Sequence, residues 1–352
     1  MKRSLLFPIG FLILFVLLFV IRNREQPIKQ AKFEGFTMGT LYHISVIDSF
    51  TTAQKKDLAK KIDEVLKRVN VEMSTWDPKS EISQFNHKKT VEPVSISEPF
   101  SYVVRRALKW SKETHGAFDP TLQPLLDLWG FGSESKERKV PSDVEIKETE
   151  AKIGWEKLSC PPRSPPILQK SIPDLALNLG AIAKGYGVDQ VAQLLKKEGY
   201  TNWFVEIGGE VIVQGKNAEG NSWRIGVQYP TTNPAETRLF GILHFETGAI
   251  ATSGSYRNFI VKDEKIYSHI LDPRTGRALY SSTLSVSVYA PNCADADAIA
   301  TALFVMGNEE GLKWVEKHPQ IEALFLVQNE AGEICEKKSS SFVERTGYII
   351  QP

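Results

Sequence analysis

Trp203-Phe-Val-Glu-Ile-Gly-Gly-Glu-Val-Ile-Val213 reads as a strand, a Gly-Gly turn and a second strand. Two apolar runs joined by a glycine pair form a hairpin, so its arms run antiparallel. Further strand candidates follow at Trp223 to Gln228, Leu239 to Phe245, Ala249 to Thr252, Phe259 to Val261 and Leu284 to Ala290. Ala323 to Gln328 is placed to close the sheet. Upstream, Phe36 to Ile47 looks like a first strand.

Helical spacing appears around this sheet. Leu58, Ile62, Val65, Leu66, Val69 and Met73 mark an amphipathic helix over Gln54 to Met73. Phe100, Val103, Val104, Ala107 and Leu108 mark a second helix, ending before Gly116. Val188, Val191, Leu194 and Leu195 mark a third, and the Ala-rich run Ala294 to Met306 a fourth. Ser133 to Lys147 is charged and reads as a surface excursion. No regular βαβ alternation is present, which predicts an α+β fold with a largely antiparallel sheet and not a doubly wound one.

The 352 residues carry 43 Lys+Arg against 42 Asp+Glu, a net charge of +1. That balance gives no general attraction to nucleic acid, and no basic stripe with interleaved aromatics is present. Cys160, Cys293 and Cys335 are few, odd in number and far apart. They support neither a disulfide framework nor a thiolate zinc site.

The N-terminus is export-like. Met1-Lys2-Arg3 precedes an uncharged stretch from Leu5 to Ile21, about 17 residues, the short end of what spans a bilayer. The apolar run is longer than a typical signal and no A-x-A-like site follows, which favours an uncleaved anchor over a cleaved signal peptide. The expected organisation is a membrane anchor over 1–24, a linker over 25–32 and one folded domain over 33–350. Its expected location is the bacterial inner membrane, with the domain on the extracytoplasmic side.

Several residues have types and spacings suited to chemistry. Asp297 and Thr301 lie four apart on a predicted helix and share a face. A carboxylate and a hydroxyl suit a hard cation such as Mg²⁺, although an acidic residue near a helix start also satisfies the dipole without a ligand. Asp295 points elsewhere and reads as a cap or dipole partner. Asn178-Leu-Gly-Ala-Ile-Ala-Lys-Gly-Tyr186 is a strand-to-helix junction whose free N–H groups and Lys184 suit phosphate, though it is not a P-loop. His269 has the pKa range of a general base, yet a lone histidine is more often structural. His43, His87, His115, His244 and His318 have no better context. Trp76 and Trp129 lie in loop-like settings and suit either stacking or packing, with packing favoured for Trp129.

Taken together, these segments resemble the ApbE family of FAD:protein FMN transferases. The residues that carry the resemblance are Phe36-Thr-Met-Gly-Thr40, Met73-Ser-Thr-Trp-Asp-Pro-Lys-Ser-Glu-Ile-Ser-Gln-Phe-Asn86, Gly116-Ala-Phe-Asp-Pro120 and Leu128-Trp-Gly-Phe-Gly132. They continue with Leu179-Gly-Ala-Ile-Ala-Lys-Gly-Tyr186, Val205-Glu-Ile-Gly-Gly-Glu210, Ala251-Thr-Ser-Gly254, His269-Ile-Leu-Asp-Pro-Arg-Thr-Gly276 and Ala294-Asp-Ala-Asp-Ala-Ile-Ala-Thr301.

The resemblance implies a T-fold-like α+β domain, here preceded by one N-terminal transmembrane helix. It implies Mg²⁺-dependent cleavage of FAD, release of AMP, and an FMN phosphoester on a Thr or Ser of an acceptor protein. Acceptors in the family are flavin-carrying subunits of membrane redox complexes. Carried over by position, Met38, Trp76, Ala117, Phe118, Asp119, Asn178, Lys184 and Leu271 would contact FAD. Asp297, Thr301 and the carbonyl of Ala181 would hold Mg²⁺, and His269 would be the general base. Asn178 departs from the usual Asp, and Ser255 stands where Asp is common. Two other readings stay open: an FAD pyrophosphatase that releases FMN and AMP, and an anchored FAD-binding protein without turnover.

Overall fold

The computed structural model describes residues 28–351, apart from 136, 234, 235, 257, 263 and 264. Its centre is an eight-stranded sheet whose strands lie side by side in chain order. They are β1 (Ile28–Thr37), β2 (Thr40–Phe50), β3 (Trp203–Ile207), β4 (Glu210–Gln214), β5 (Thr247–Gly254), β6 (Thr283–Ala290), β7 (Glu322–Gln328) and β8 (Ile334–Lys338). Every neighbouring pair is antiparallel. The quoted hairpin is β3 and β4, with Trp203 opposite Gln214 and Ile207 opposite Glu210. The α+β class and antiparallel pairing therefore hold.

Helices cover one face: α1 (Thr52–Met73), α2 (Glu98–Glu113), α3 (Gly180–Lys197) and α4 (Cys293–Val315). Strand alternation sorts the side chains. Ile212 of β4 packs with α1 and α3, while Val211 and Val213 face a small sheet of Trp223–Gln228, Leu239–Phe245 and Ile349–Ile350 on the other side. Glu210, in step with Ile212, thus points among the helices. Thr51 begins α1 with a reciprocal capping box to Gln54, a device that contributes about 1 kcal/mol. Asn292 caps α4, and Asp189 of α3 accepts the N–H groups of Cys293 and Ala294. A side chain of one helix thereby satisfies the free end of the next.

Where α3 and α4 meet, the chains touch through glycine. A Cβ on Gly185 would lie 2.3 Å from the carbonyl oxygen of Cys293 and 2.8 Å from the Cα of Ala294. Gly185→Ala is therefore expected to lower stability by about 1–3 kcal/mol, the usual cost of overpacking. Thermal unfolding checks this, and an unchanged midpoint would contradict the close approach.

Three expectations are corrected. Phe36 to Ile47 is not one strand: Met38 and Gly39 take positive φ of 48° and 75°, and the chain reverses there. A left-handed methionine leaves no trace in residue type. The ladder starts at Ile28, earlier than Phe33, because β1 is an edge strand whose buried residues Ala31, Phe33 and Thr37 alternate with exposed neighbours. The transmembrane helix in the expected fold is also overturned. Among the described residues no helix is long and apolar enough to cross a membrane. The long helices are α1, whose outer face is rich in lysine, and α4, which breaks at Gly307. The stretch Leu5 to Ile21, on which that expectation rested, lies outside the described residues. Cys160, Cys293 and Cys335 are free thiols, the first two buried.

Candidate active site

A cavity of about 520 Å³ opens where α3 and α4 meet the ends of β4 and β5, within the usual range for small-molecule sites of roughly 300–1,000 Å³. Ala117, Phe118, Asp119, Asn178, Ala181, Lys184, His269, Leu271, Asp297 and Thr301 all line it. Met38 and Trp76 are not part of its wall. Met38 sits over Gly187 of α3, where a Cβ would come within 2.5 Å of its Cε. Trp76 is 72% exposed. Trp129 is a packed anchor, buried with its indole N–H donating to the carbonyl of Gly276 at 3.0 Å.

The start of α3 is held by Asn178. Its Oδ1 accepts the N–H of Gly180 at 2.8 Å, and its Nδ2 donates to Oε1 of Gln123 at 2.7 Å. Gln123 in turn donates to Asp127 at 2.8 Å. The carboxamide at 178 uses both its acceptor and its donor, a pairing that a carboxylate could not make with this orientation of Gln123.

One residue further on, Ala181 leaves helical geometry, with φ −91° and ψ 16°. That ψ turns its carbonyl by about 60° from the helical direction. The N–H of Gly185, which an unbroken helix would give to Ala181, instead donates to Oδ2 of Asp297 at 3.0 Å. Asp297 is buried on α4. Thr301, one turn later, has its hydroxyl 3.0 Å from that of Ser253 on β5. A carboxylate oxygen, a hydroxyl and a displaced carbonyl thus face one cavity. This all-oxygen set with a single carboxylate fits a hard cation that keeps waters or substrate oxygens. Among the described residues no three His, Cys, Asp or Glu form a metal-ligand group.

Lys184 lies between two buried carboxylates. Its Nζ is 2.5 Å from Oε1 of Glu210 and 3.6 Å from Oδ1 of Asp297. Burial opposes its charge, but Asp297 and Glu210 outweigh that and hold the ammonium above its ordinary range. Two carboxylates share one cation, so burial still raises both Glu210 and Asp297. With both carboxylates ionised the cluster exceeds its one ammonium by a negative charge in a desolvated place, a setting that favours a bound cation.

His269 is oriented by Asn258. The carbonyl oxygen of Asn258 accepts from both the backbone N–H and Nδ1 of His269, at 3.0 and 2.9 Å. A carbonyl cannot donate, so Nδ1 carries the proton and Nε2 keeps its lone pair. Burial lowers the imidazole pKa below 6.5, and Lys184 and Arg138 add to the effect. The ring of Phe131 stands edge-on, 6.3 Å away between centroids.

Asp119 is occupied by its own loop. One oxygen accepts from the N–H and hydroxyl of Thr121, and the other from the N–H of Trp155. Asp295 lies on another face of α4, bound by Arg106, Trp110 and Asn292 as a structural anchor. Sequence reasoning assigned no role to Glu210, Ser253, Phe131 and Asn258. Glu210 alone carried a signal, as an acidic residue at the inward position of an apolar strand.

The fold and the cavity define a class: an α+β protein whose one cleft gathers a capped helix start, a set of oxygen donors and a buried imidazole. The ApbE family model matches residues 38–325, and the chain belongs to that family. It is 40% identical over 325 residues to the FAD:protein FMN transferase of Vibrio cholerae, covering 92% of this chain and 95% of that protein. It is 35% identical to that of Salmonella typhimurium, covering 84% of each. Among solved structures it is similar to the flavin transferase ApbE from Vibrio cholerae, with a TM-score of 0.81 at 40% identity, over 90% of this chain and 99% of that one. It is also similar to the apo Pseudomonas stutzeri flavinyl transferase ApbE, with a TM-score of 0.81 at 31% identity, over 92% and 99%.

Proposed function

We propose that this chain is a Mg²⁺-dependent FAD:protein FMN transferase. It is an enzyme that cleaves the FAD pyrophosphate, releases AMP and joins FMN to a Thr or Ser hydroxyl of an acceptor protein. The observation that carries this reading is the shared cavity of His269, with its proton fixed on Nδ1, and the oxygen set of Ala181, Asp297 and Thr301. The names of the similar proteins support it.

Ala117, Phe118, Asp119, Asn178, Lys184 and Leu271 bind FAD in the cleft. Met38, and Trp76 with its exposed ring, complete the site from outside the wall. Ala181, Asp297 and Thr301 hold Mg²⁺, which when bound neutralises charge on the pyrophosphate. Lys184 meets a phosphate oxygen. Nε2 of His269 takes the proton of the acceptor hydroxyl as its oxygen bonds to the FMN phosphorus. The bond from that phosphorus to the bridging oxygen breaks, and AMP leaves with the oxygen. Acceptors are flavin-carrying subunits of membrane redox complexes, and the export-like start of the chain supports work outside the cytoplasm.

Incubation with FAD and Mg²⁺, followed by chromatography for AMP, tests turnover. AMP that disappears on chelation supports the reading; bound FAD with no AMP, even with an acceptor present, would sink it. Because His269 must be neutral, kcat/KM for transfer should fall as pH drops through a midpoint below 6.5 and stay level above it. A limb with its midpoint above 6.5 would contradict the burial of the base.

A further inference from the structure

Glu210 has no part in the steps above, yet it is among the most deeply buried charges of the cleft. It is 4% exposed, and its Oε2 is buried with no hydrogen-bond partner among the described residues. Leaving a carboxylate oxygen unpaired at that depth is costly, so its charge needs a reason.

The geometry around Lys184 supplies one. Asp297 has committed Oδ2 to the N–H of Gly185, which leaves Oδ1 as the oxygen open to a cation. That same Oδ1 is 3.6 Å from the Lys184 ammonium. That is a long ion pair, and a closer approach of the ammonium would neutralise this oxygen and leave it less open to a cation. Glu210 draws the ammonium more closely, at 2.5 Å, and comes from β4 while Asp297 comes from α4. The Gly208-Gly209 turn, with φ of 61° and 102°, sets where β4 begins and so where Glu210 projects.

We propose that Glu210 is a positioning residue that holds Lys184 off Asp297 and so keeps Asp297 Oδ1 available to a divalent cation. It acts through Lys184 and touches neither the cation nor the reacting atoms. The inference rests on the cation reading of Asp297 given above.

The test measures cation binding directly, without FAD or turnover. Free Mn²⁺ is followed by electron paramagnetic resonance during titration of the wild type, Glu210→Gln, Lys184→Met and the double variant. Glutamine keeps the size and an acceptor but loses the charge. In Glu210→Gln the half-saturating Mn²⁺ is expected to rise about tenfold, a difference near 1.4 kcal/mol. Lys184→Met should bind at least as tightly as the wild type. The double variant should return to the affinity of Lys184→Met, because the competitor is gone. A double variant as weak as Glu210→Gln would overturn the proposal, since Glu210 would then act without Lys184. Equal binding by wild type and Glu210→Gln would overturn it while leaving the cation site intact. No Mn²⁺ bound by the wild type would sink the cation site and the proposal together. If Glu210→Gln fails to fold, Glu210→Asp replaces it, withdrawing the charge by one methylene and shifting affinity in the same direction.

Discussion

His269→Ala is expected to slow FMN transfer by about 10²–10⁴-fold, the usual contribution of a positioned general base, while FAD binding is retained. The reasoning starts from Asn258. Its carbonyl fixes the proton on Nδ1, so the ring presents an unprotonated Nε2 to the cleft. Burial keeps the ring neutral. A threonine hydroxyl is a weak nucleophile until its proton is removed, and among the described residues no other imidazole lines the cavity. His269 packs against Phe131 and the Asn258 carbonyl, and among the described residues it makes no hydrogen bond to α3 or α4, which carry Lys184 and Asp297. Its loss therefore leaves the nucleotide-holding part in place. FAD affinity from flavin fluorescence quenching, beside the rate of acceptor labelling, separates the two effects. Unchanged labelling would remove His269 from its role, and lost FAD binding would recast it as a binding residue.

Asp297→Ala should be as damaging, by a different route. Asp297 does two things at once: Oδ2 holds the N–H of Gly185, and Oδ1 faces the cleft beside Lys184. Removing it deletes the only carboxylate of the donor set, and activity is expected to fall by about 10²-fold or more, the scale for losing a key electrostatic group. Added Mg²⁺ should restore only part, because Thr301 and the Ala181 carbonyl carry no net charge. Asp297→Asn separates the two tasks. It keeps an acceptor for Gly185 and loses the charge, so it should be as inactive as the alanine variant but more stable. Activity titrated against Mg²⁺, with thermal unfolding alongside, checks both. An asparagine variant with wild-type activity would show that the carboxylate serves packing and not the cation.

Much of the architecture was legible because burial and period agree. The hairpin from Trp203 to Val213 has two apolar runs around two glycines, and β3 and β4 form there. The helix from Gln54 to Met73 has an uninterrupted apolar stripe and forms one residue pair longer, as Thr52–Met73. The first strand was hidden because β1 lies at the sheet edge and its apolar inward residues are just Ala31 and Phe33, with Thr37 the third buried side chain. The helix read as Ala294 to Met306 continues to Val315, since Gly307 breaks its geometry without ending it.

The site was legible only in pieces. Asp297 and Thr301 share a face by spacing alone. Ala181 acts through its main chain, so no side-chain pattern marks it; its departure from helical geometry does. Lys184 and Glu210 are joined across two elements, and neither spacing nor composition predicts that pair. Trp76 matched by motif, yet it stands exposed outside the cavity wall.

The central claim is transfer of FMN to a protein and not to water. The direct measurement is flavin fluorescence on the acceptor after denaturation, following incubation of this chain with FAD, Mg²⁺ and the acceptor subunit. Covalent fluorescence on the acceptor, with one AMP released per flavin attached, is the predicted result. AMP and free FMN with an unlabelled acceptor would contradict it and assign the cleft to hydrolysis.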